Sequence, residues 1–251
     1  MQLHDNNCFV TLTYNDESLP NDYSLIKPHL QKFFKRLRKA IHPKKISFFA
    51  CGEYGETTWR PHYHAIIFGY DFPDKQSTAF SENKNPYYIS AELSGLWKQG
   101  NHIIAEANYT TAAYVAQYII KKQKGETAED YYTRTIIDWN DVTGEINYLK
   151  EDTKLEPEFA QMSRNPAIGK NWFNKYKTDC FPSDYLILNG NKVPIPDYYN
   201  KLYENEETHK YELTKFKRKM SYLLSEDKPT LKRLREIENV KKLQLKTKEK
   251  I

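Results

Sequence analysis

The chain has 251 residues and a formal net charge of +5, from 38 Lys and Arg against 33 Asp and Glu. With 39% hydrophobic and 14% aromatic residues it can bury a substantial core, which excludes a wholly disordered protein. No apolar run reaches the roughly 18 to 20 residues of a bilayer crossing, and Met1-Gln-Leu-His-Asp-Asn-Asn7 is not a basic-then-apolar leader, so a soluble, unexported protein with no membrane partner is expected. Cys8, Cys51 and Cys180 are far apart and show no CxxC spacing, which fits free buried thiols rather than a disulfide framework.

Phe9-Val-Thr-Leu-Thr-Tyr14 is β-branched and aromatic and predicts a strand, ended by the turn-rich Asn15 to Pro20. Behind Pro28, the positions Leu30, Phe33, Phe34, Leu37 and Ile41 recur at helical spacing. Lys45 to Glu53 reads as a second strand, with Ile46, Phe48 and Ala50 on one face and Ser47, Phe49, Cys51 and Glu53 on the other; a third runs from about Pro61 to Gly69. Residues 88 to 98 read as a helix with the stripe Ile89, Leu93, Leu96 and Trp97, closed by Gly100. Asn101 to Glu106 follows as a strand. Thr110 or Thr111 then caps a helix that runs to about Lys122.

This β-α-β-β-α-β-α order predicts an α+β fold: an antiparallel-rich sheet with the split βαβ arrangement of ferredoxin-like and RRM-like proteins, its helices on one face. From residue 125 the pattern weakens, and Lys124 to Thr133 and Glu145 to Pro157 read as polar loops. Asn189-Gly190, inside Asp184 to Val193, signals a hairpin. Leu231, Leu234, Ile237, Val240 and Leu243 predict a helical C-terminal tail. Residues 201–251 hold 15 Lys and Arg against 9 Asp and Glu, so the chain's basicity resides in that tail.

Three groups of residues can carry chemistry. His62 and His64, in Arg60-Pro-His-Tyr-His64, sit two apart on a strand and therefore share a face, as the ligands of one metal ion must. Glu53 is the expected third ligand, with Glu56 as its competitor; either can equally be a surface loop carboxylate. Two imidazoles and a carboxylate suit Mg²⁺ or Mn²⁺, and a zinc hydrolase has the same donor set. Tyr114 and Tyr118 stand one helical turn apart beside Lys121 and Lys122 and can supply a nucleophile. Among 20 tyrosines about one or two such pairs arise by chance, and Tyr199/Tyr203 is another. The first helix carries Lys32, Lys35, Arg36, Arg38 and Lys39 in an acid-free stretch, which either tracks phosphates or is a solvated face.

In order, Phe9-Val-Thr-Leu-Thr-Tyr14, Cys51-Gly-Glu-Tyr-Gly-Glu56, Arg60-Pro-His-Tyr-His64 and Tyr114-Val-Ala-Gln-Tyr-Ile-Ile-Lys121 resemble the rolling-circle replication initiators of gokushovirus-like microviruses. These are two-tyrosine members of the HUH endonucleases. Ser163 to Trp172 and Asp184 to Val193 resemble later segments of that family, so the likeness runs from about residue 8 to 205. It implies an HUH nickase core at 1–124, a family-specific extension packed on it at 125–205, and a charged helical tail at 206–251. It assigns His62, His64 and Glu53 to a divalent metal, Mg²⁺ or Mn²⁺, Tyr114 and Tyr118 as nucleophiles, and Lys121 as the lysine of a YxxxYxxK helix. Gln117 and Ile120 depart from the family's polar and basic preferences.

The activity implied is metal-assisted tyrosine attack on the origin of single-stranded or replicative-form viral DNA, giving a 5′-phosphotyrosine link and later rejoining ends to release a circle. Lys32, Lys35, Arg36, Lys39, Arg60 and Lys122 are the expected DNA contacts. No Walker A motif is present, which implies reliance on a host helicase and DNA polymerase in the host cell cytoplasm. The chain begins closer to its first strand than the family pattern implies, so an upstream segment is expected. Two rival functions fit the same residues: an HxH metal-dependent phosphoesterase using activated water, and a non-catalytic RRM-like module that binds single-stranded nucleic acid.

Overall fold

Alternation along β1 (Asn7–Tyr14) sets the two sides of the sheet: Val10, Leu12 and Tyr14 are buried on one face, while Phe9, Thr11 and Thr13 point to the other. Against the first face lies α1 (Lys27–Ala40), which has proline in its first turn and buries Leu30, Phe33, Phe34 and Leu37. β2 (Ser47–Tyr54) and β3 (Pro61–Phe68) add Ala50, Tyr63, Ala65 and Ile67 to the same core. Phe34 stacks on Phe48 with ring centroids 3.7 Å apart. The buried polar tips are satisfied within this layer: the Tyr14 and Tyr63 hydroxyls lie 2.6 Å apart, and the Trp97 indole N–H donates to the Thr13 carbonyl at 3.0 Å.

The structure, a computed structural model, describes residues 1–224 apart from 57, 81–85, 122, 124, 140–142, 144, 145, 182 and 189. After β3 come β4 (Gln76–Phe80), β5 (Pro86–Ile89), α2 (Ala91–Leu96), β6 (Gly100–Glu106) and α3 (Tyr109–Lys121). Then follow α4 (Ala128–Tyr132), β7 (Thr133–Trp139), β8 (Ile146–Lys154) and β9 (Phe159–Met162). The main sheet has seven strands in the order β4-β5-β6-β1-β3-β2-β9, every neighbouring pair antiparallel. β1 and β2 are thus separated by β3, which runs antiparallel to both. The chain is α+β, as its sequence predicts.

Several expectations need correction. Helices cover both faces of the sheet: α1 packs on the Val10 side, while Val115 of α3 packs with Phe9, Cys51 and Ile66 on the other. Apolar residues on both sides of the central strands make this possible. The helix expected at 88–98 is shorter, because Ser90 caps it by accepting from Leu93 N–H at 3.0 Å and Tyr88 and Ile89 belong to β5. Gly100 opens β6 rather than closing that helix. The polar stretches at 124–133 and 145–157 hold α4 and β8; Tyr132, Ile136 and Leu155 are buried in the main core, and β7 pairs with β8 in a two-stranded sheet.

Two compact units divide the chain, Met1–Asn171 and Trp172–Ile251. The second opens inside α5 (Lys170–Cys180) and continues through β10 (Tyr185–Leu188), β11 (Asn191–Pro194), α6 (Asp197–Glu206) and α7 (Thr208–Leu224). β10 and β11 form the expected hairpin. The small core here comprises Phe173, Cys180, Phe181 and Ile195, with Tyr199 stacked on Trp172 and Tyr203 on Phe181. The tail stripe from Leu231 to Leu243 lies outside the described residues. Cys8, Cys51 and Cys180 are buried free thiols. Among the described residues no helix is long and apolar enough to cross a membrane.

Candidate metal centre and tyrosine helix

Strand register builds the site. Glu53 of β2 pairs with His62 of β3, and Thr11 of β1 pairs with His64. All four side chains lie on the sheet face opposite α1. Glu53 is 3% and His64 5% exposed. The Glu53 Oε1 atom lies 2.8 Å from His62 Nε2 and 2.7 Å from His64 Nε2. Among the described residues, these three form the group whose ligand atoms lie close enough, within 4.8 Å of one another, to share a metal ion. Glu56 is exposed in the following loop, outside the group.

Hydrogen bonding at the centre fits a cation. The His62 Nδ1 atom is 3.0 Å from the Arg60 carbonyl oxygen, which can only accept, so Nδ1 carries a proton. The Nε2 of neutral His62 is then a lone pair facing a carboxylate oxygen at 2.8 Å. Such a contact is favourable only with a proton or a cation at the junction. The second carboxylate oxygen, Glu53 Oε2, is buried with no hydrogen-bond partner. Imidazole nitrogens with a carboxylate oxygen are an ordinary donor set for a divalent ion. Burial pushes the Glu53 carboxyl upward, but the hydrogen bonds from His62 and His64, with their charges, outweigh it and hold the group below its usual range. For His64, burial dominates and holds the imidazole below its ordinary value against the pull of Glu53.

The tyrosine helix is locked at its start. Asn108 Oδ1 accepts from Thr111 N–H at 3.0 Å, and Thr111 Oγ1 accepts from Asn108 N–H at 2.9 Å. Asn108 is therefore the cap in place of Thr110 or Thr111, and Thr111 answers it from the third helical position. Val115 and Ala112 fasten the next turn to Phe9, Cys51 and Ile66. Tyr114, 40% exposed beside that anchor, sets its ring edge-on to His64 with centroids 5.2 Å apart at 81°. Phe9 stacks on the same imidazole at 5.5 Å and 17°. Tyr118 and Lys121 occupy α3 one and nearly two turns further on, but their side chains, and all of Lys122, lie outside the described residues.

The expected DNA contacts are not gathered at this centre. Lys32, Lys35 and Lys39 are exposed on α1, across the sheet. Arg36 is partly buried and donates to the Leu96 carbonyl at 2.7 Å, tying α1 to α2. Arg60 donates to the Tyr14 carbonyl at 2.9 Å and pairs with Asp16 at 2.7 Å, while its own carbonyl orients His62. Thr11, Phe9 and Asn108 are absent from the sequence-based site. The strict alternation of Phe9-Val-Thr-Leu-Thr-Tyr14 was the available signal for the first two, since one half of that run had to face away from the core.

Fold and site together define a sheet protein with a buried two-histidine, one-carboxylate cation site beside a tyrosine-bearing helix. Residues 7–123 match the family described as replication-associated protein ORF2/gene 2 protein. The replication-associated protein VP4 of Bdellovibrio phage phiMH2K is 30% identical over 84% of this chain and 62% of its own length. The replication-associated protein ORF2 of Spiroplasma virus 4 is 30% identical over 85% of this chain and 62% of its own. The replication-associated protein ORF4 of Chlamydia phage 1 is 29% identical over 79% and 46%. By these matches the chain is a relative of the phage replication-associated proteins, and the family resemblance drawn from its motifs holds. It spans less than two thirds of the length of each of these relatives. No solved structure matches it.

Proposed function

We propose that this chain is a replication initiator of the HUH type, which nicks one strand of a viral origin through a tyrosine and later rejoins the ends. The placement of Tyr114 against His64 of the Glu53–His62–His64 group carries this reading. The strand order β6-β1-β3-β2 supports it as the split βαβ core of such an enzyme, and the names of the relatives support a role in replication.

Glu53, His62 and His64 would hold Mg²⁺ or Mn²⁺, whose charge polarises a non-bridging phosphate oxygen and stabilises the transition state. Tyr114 stands on the edge of that position with its phenol exposed to a single strand laid across the open sheet face. Attack by the phenol oxygen forms a Tyr O–P bond and breaks the bond from phosphorus to the 3′ oxygen. The phenol proton is released and the leaving 3′ oxygen takes one up, giving a 3′-OH primer and a 5′-phosphotyrosyl strand. One phosphodiester replaces another, so the step reverses without ATP. Tyr118, one turn along the same helix, alternates with Tyr114 so that a regenerated origin is cut while the first strand is still attached. Unwinding and synthesis fall to a host helicase and polymerase in the host cytoplasm.

Incubating the protein with Mn²⁺ and a labelled origin-derived single strand tests this. A labelled band that survives SDS, and disappears in the Tyr114→Phe/Tyr118→Phe double variant, is the expected result. Free 5′-phosphate ends without an adduct would instead mark a hydrolase using activated water.

Lys32, Lys35 and Lys39 are proposed as phosphate contacts separate from the nicking centre, because α1 covers the opposite sheet face. Replacing all three with Gln is expected to flatten the salt dependence of single-strand binding by about 2 in log–log slope. Nicking of a short oligonucleotide should persist. An unchanged slope in fluorescence-anisotropy titrations would leave α1 as a solvated face.

A further inference from the structure

The two histidines of the centre are oriented by different kinds of group. His62 is fixed by main chain: its Nδ1–H can only donate to the Arg60 carbonyl, which is itself held by Gly55 N–H at 3.1 Å. That leaves His62 Nε2 aimed at the cation position in one tautomer. His64 instead faces a hydroxyl, with Thr11 Oγ1 2.9 Å from its Nδ1. A hydroxyl accepts as readily as it donates. When His64 carries its proton on Nε2 and gives it to Glu53, Thr11 can donate to Nδ1. When Nε2 must offer a lone pair to a cation, Thr11 can accept from Nδ1–H.

We infer that Thr11 is a positioning residue of the cation site: its hydroxyl holds the His64 ring and lets it exchange tautomers between a Glu53-bonded and a cation-bonded state. The inference rests on reading Glu53, His62 and His64 as a cation site. Register supplies the placement, since Thr11 is the direct cross-strand partner of His64 and points to the site face because Val10 and Leu12 fill the core on the other. Phe9 stacked on the ring and Tyr114 at its edge restrict rotation, so Nδ1 has no other route to a partner than the one Thr11 provides. Valine in this position would keep the shape and could play neither hydrogen-bonding role; serine could play both. Thr13, one step along the same face, donates to the Asn101 carbonyl at 3.3 Å and serves as the internal control.

Calorimetric titration with Mn²⁺ of the wild-type chain, Thr11→Val, Thr11→Ser and Thr13→Val tests the role without any nuclease readout. Thr11→Val is expected to weaken affinity by about 10-fold or more, in the range of lost outer-shell hydrogen bonds to metal-bound histidine. Thr11→Ser should restore it to within about 2-fold of wild type and Thr13→Val should leave it unchanged. Long-range ¹⁵N spectra of the metal-free protein provide the second readout: Thr11→Val should move the ring-nitrogen shifts of His64 and leave those of His62 in place. Wild-type affinity in Thr11→Val, an equal loss in Thr11→Ser, or unmoved His64 shifts would each overturn the inference. If the wild-type chain takes up no Mn²⁺ at all, the cation reading fails by itself, and the nitrogen shifts still decide whether Thr11 sets the His64 tautomer.

Discussion

Glu53→Gln is expected to weaken Mn²⁺ binding by more than about 100-fold, beyond the usual ~10–100-fold effect of an outer-shell change, and to bring origin nicking to background. Glu53 is the joint of the site: one oxygen reaches both imidazoles and the other is buried without a partner. The amide keeps the shape but loses the charge. It also has to turn an N–H₂ toward either the histidines or the cation, where only an acceptor fits. Calorimetry with Mn²⁺ reads the loss, and a circular dichroism spectrum checks that the sheet persists. Unchanged affinity would mean that the cation is held elsewhere.

Gly100→Ala carries the largest expected effect on stability, a loss of more than about 3 kcal/mol, because backbone strain and overpacking act at one position. Gly100 sits at φ +145°, and a Cβ there would lie 2.1 Å from the Asn15 nitrogen and 2.7 Å from the Thr13 carbonyl oxygen. These obstacles are backbone, not flexible side chain. They belong to the end of β1, where Gly100 pairs with Tyr14 and Asn15 N–H donates to the Gln99 carbonyl at 3.0 Å. Relief of the clash would therefore shift the strand that carries Thr11. Urea denaturation should show a large fall in midpoint; a change below about 1 kcal/mol would contradict the packing described.

The central strands and α1 were legible because each buries one clear stripe, and the residues named for α1 are the buried ones. The metal group was legible from spacing: two strand histidines share a face by geometry, and a carboxylate nine residues earlier falls opposite the first of them. The β4–β5 hairpin was hidden because its apolar residues are few and Ile89 fits a helical stripe as well as a strand edge. β8 was hidden for a related reason, since Ile-Asn-Tyr-Leu-Lys-Glu-Asp-Thr-Lys is mostly polar and pairs in a sheet of two strands. Sequence could not separate the two tyrosine pairs. Tyr199 and Tyr203 stack into the core of the second unit, whereas Tyr114 lies at His64, a difference made by which elements pack against each helix.

The central claim is that a tyrosine of α3 becomes covalently joined to DNA. Mass spectrometry of the protease-digested adduct, formed with Mn²⁺ and an origin-derived single strand, tests it most directly. A nucleotide attached through its 5′-phosphate to the peptide bearing Tyr114 or Tyr118 is the result predicted. Cleaved DNA with free 5′-phosphate ends and every peptide unmodified would contradict it.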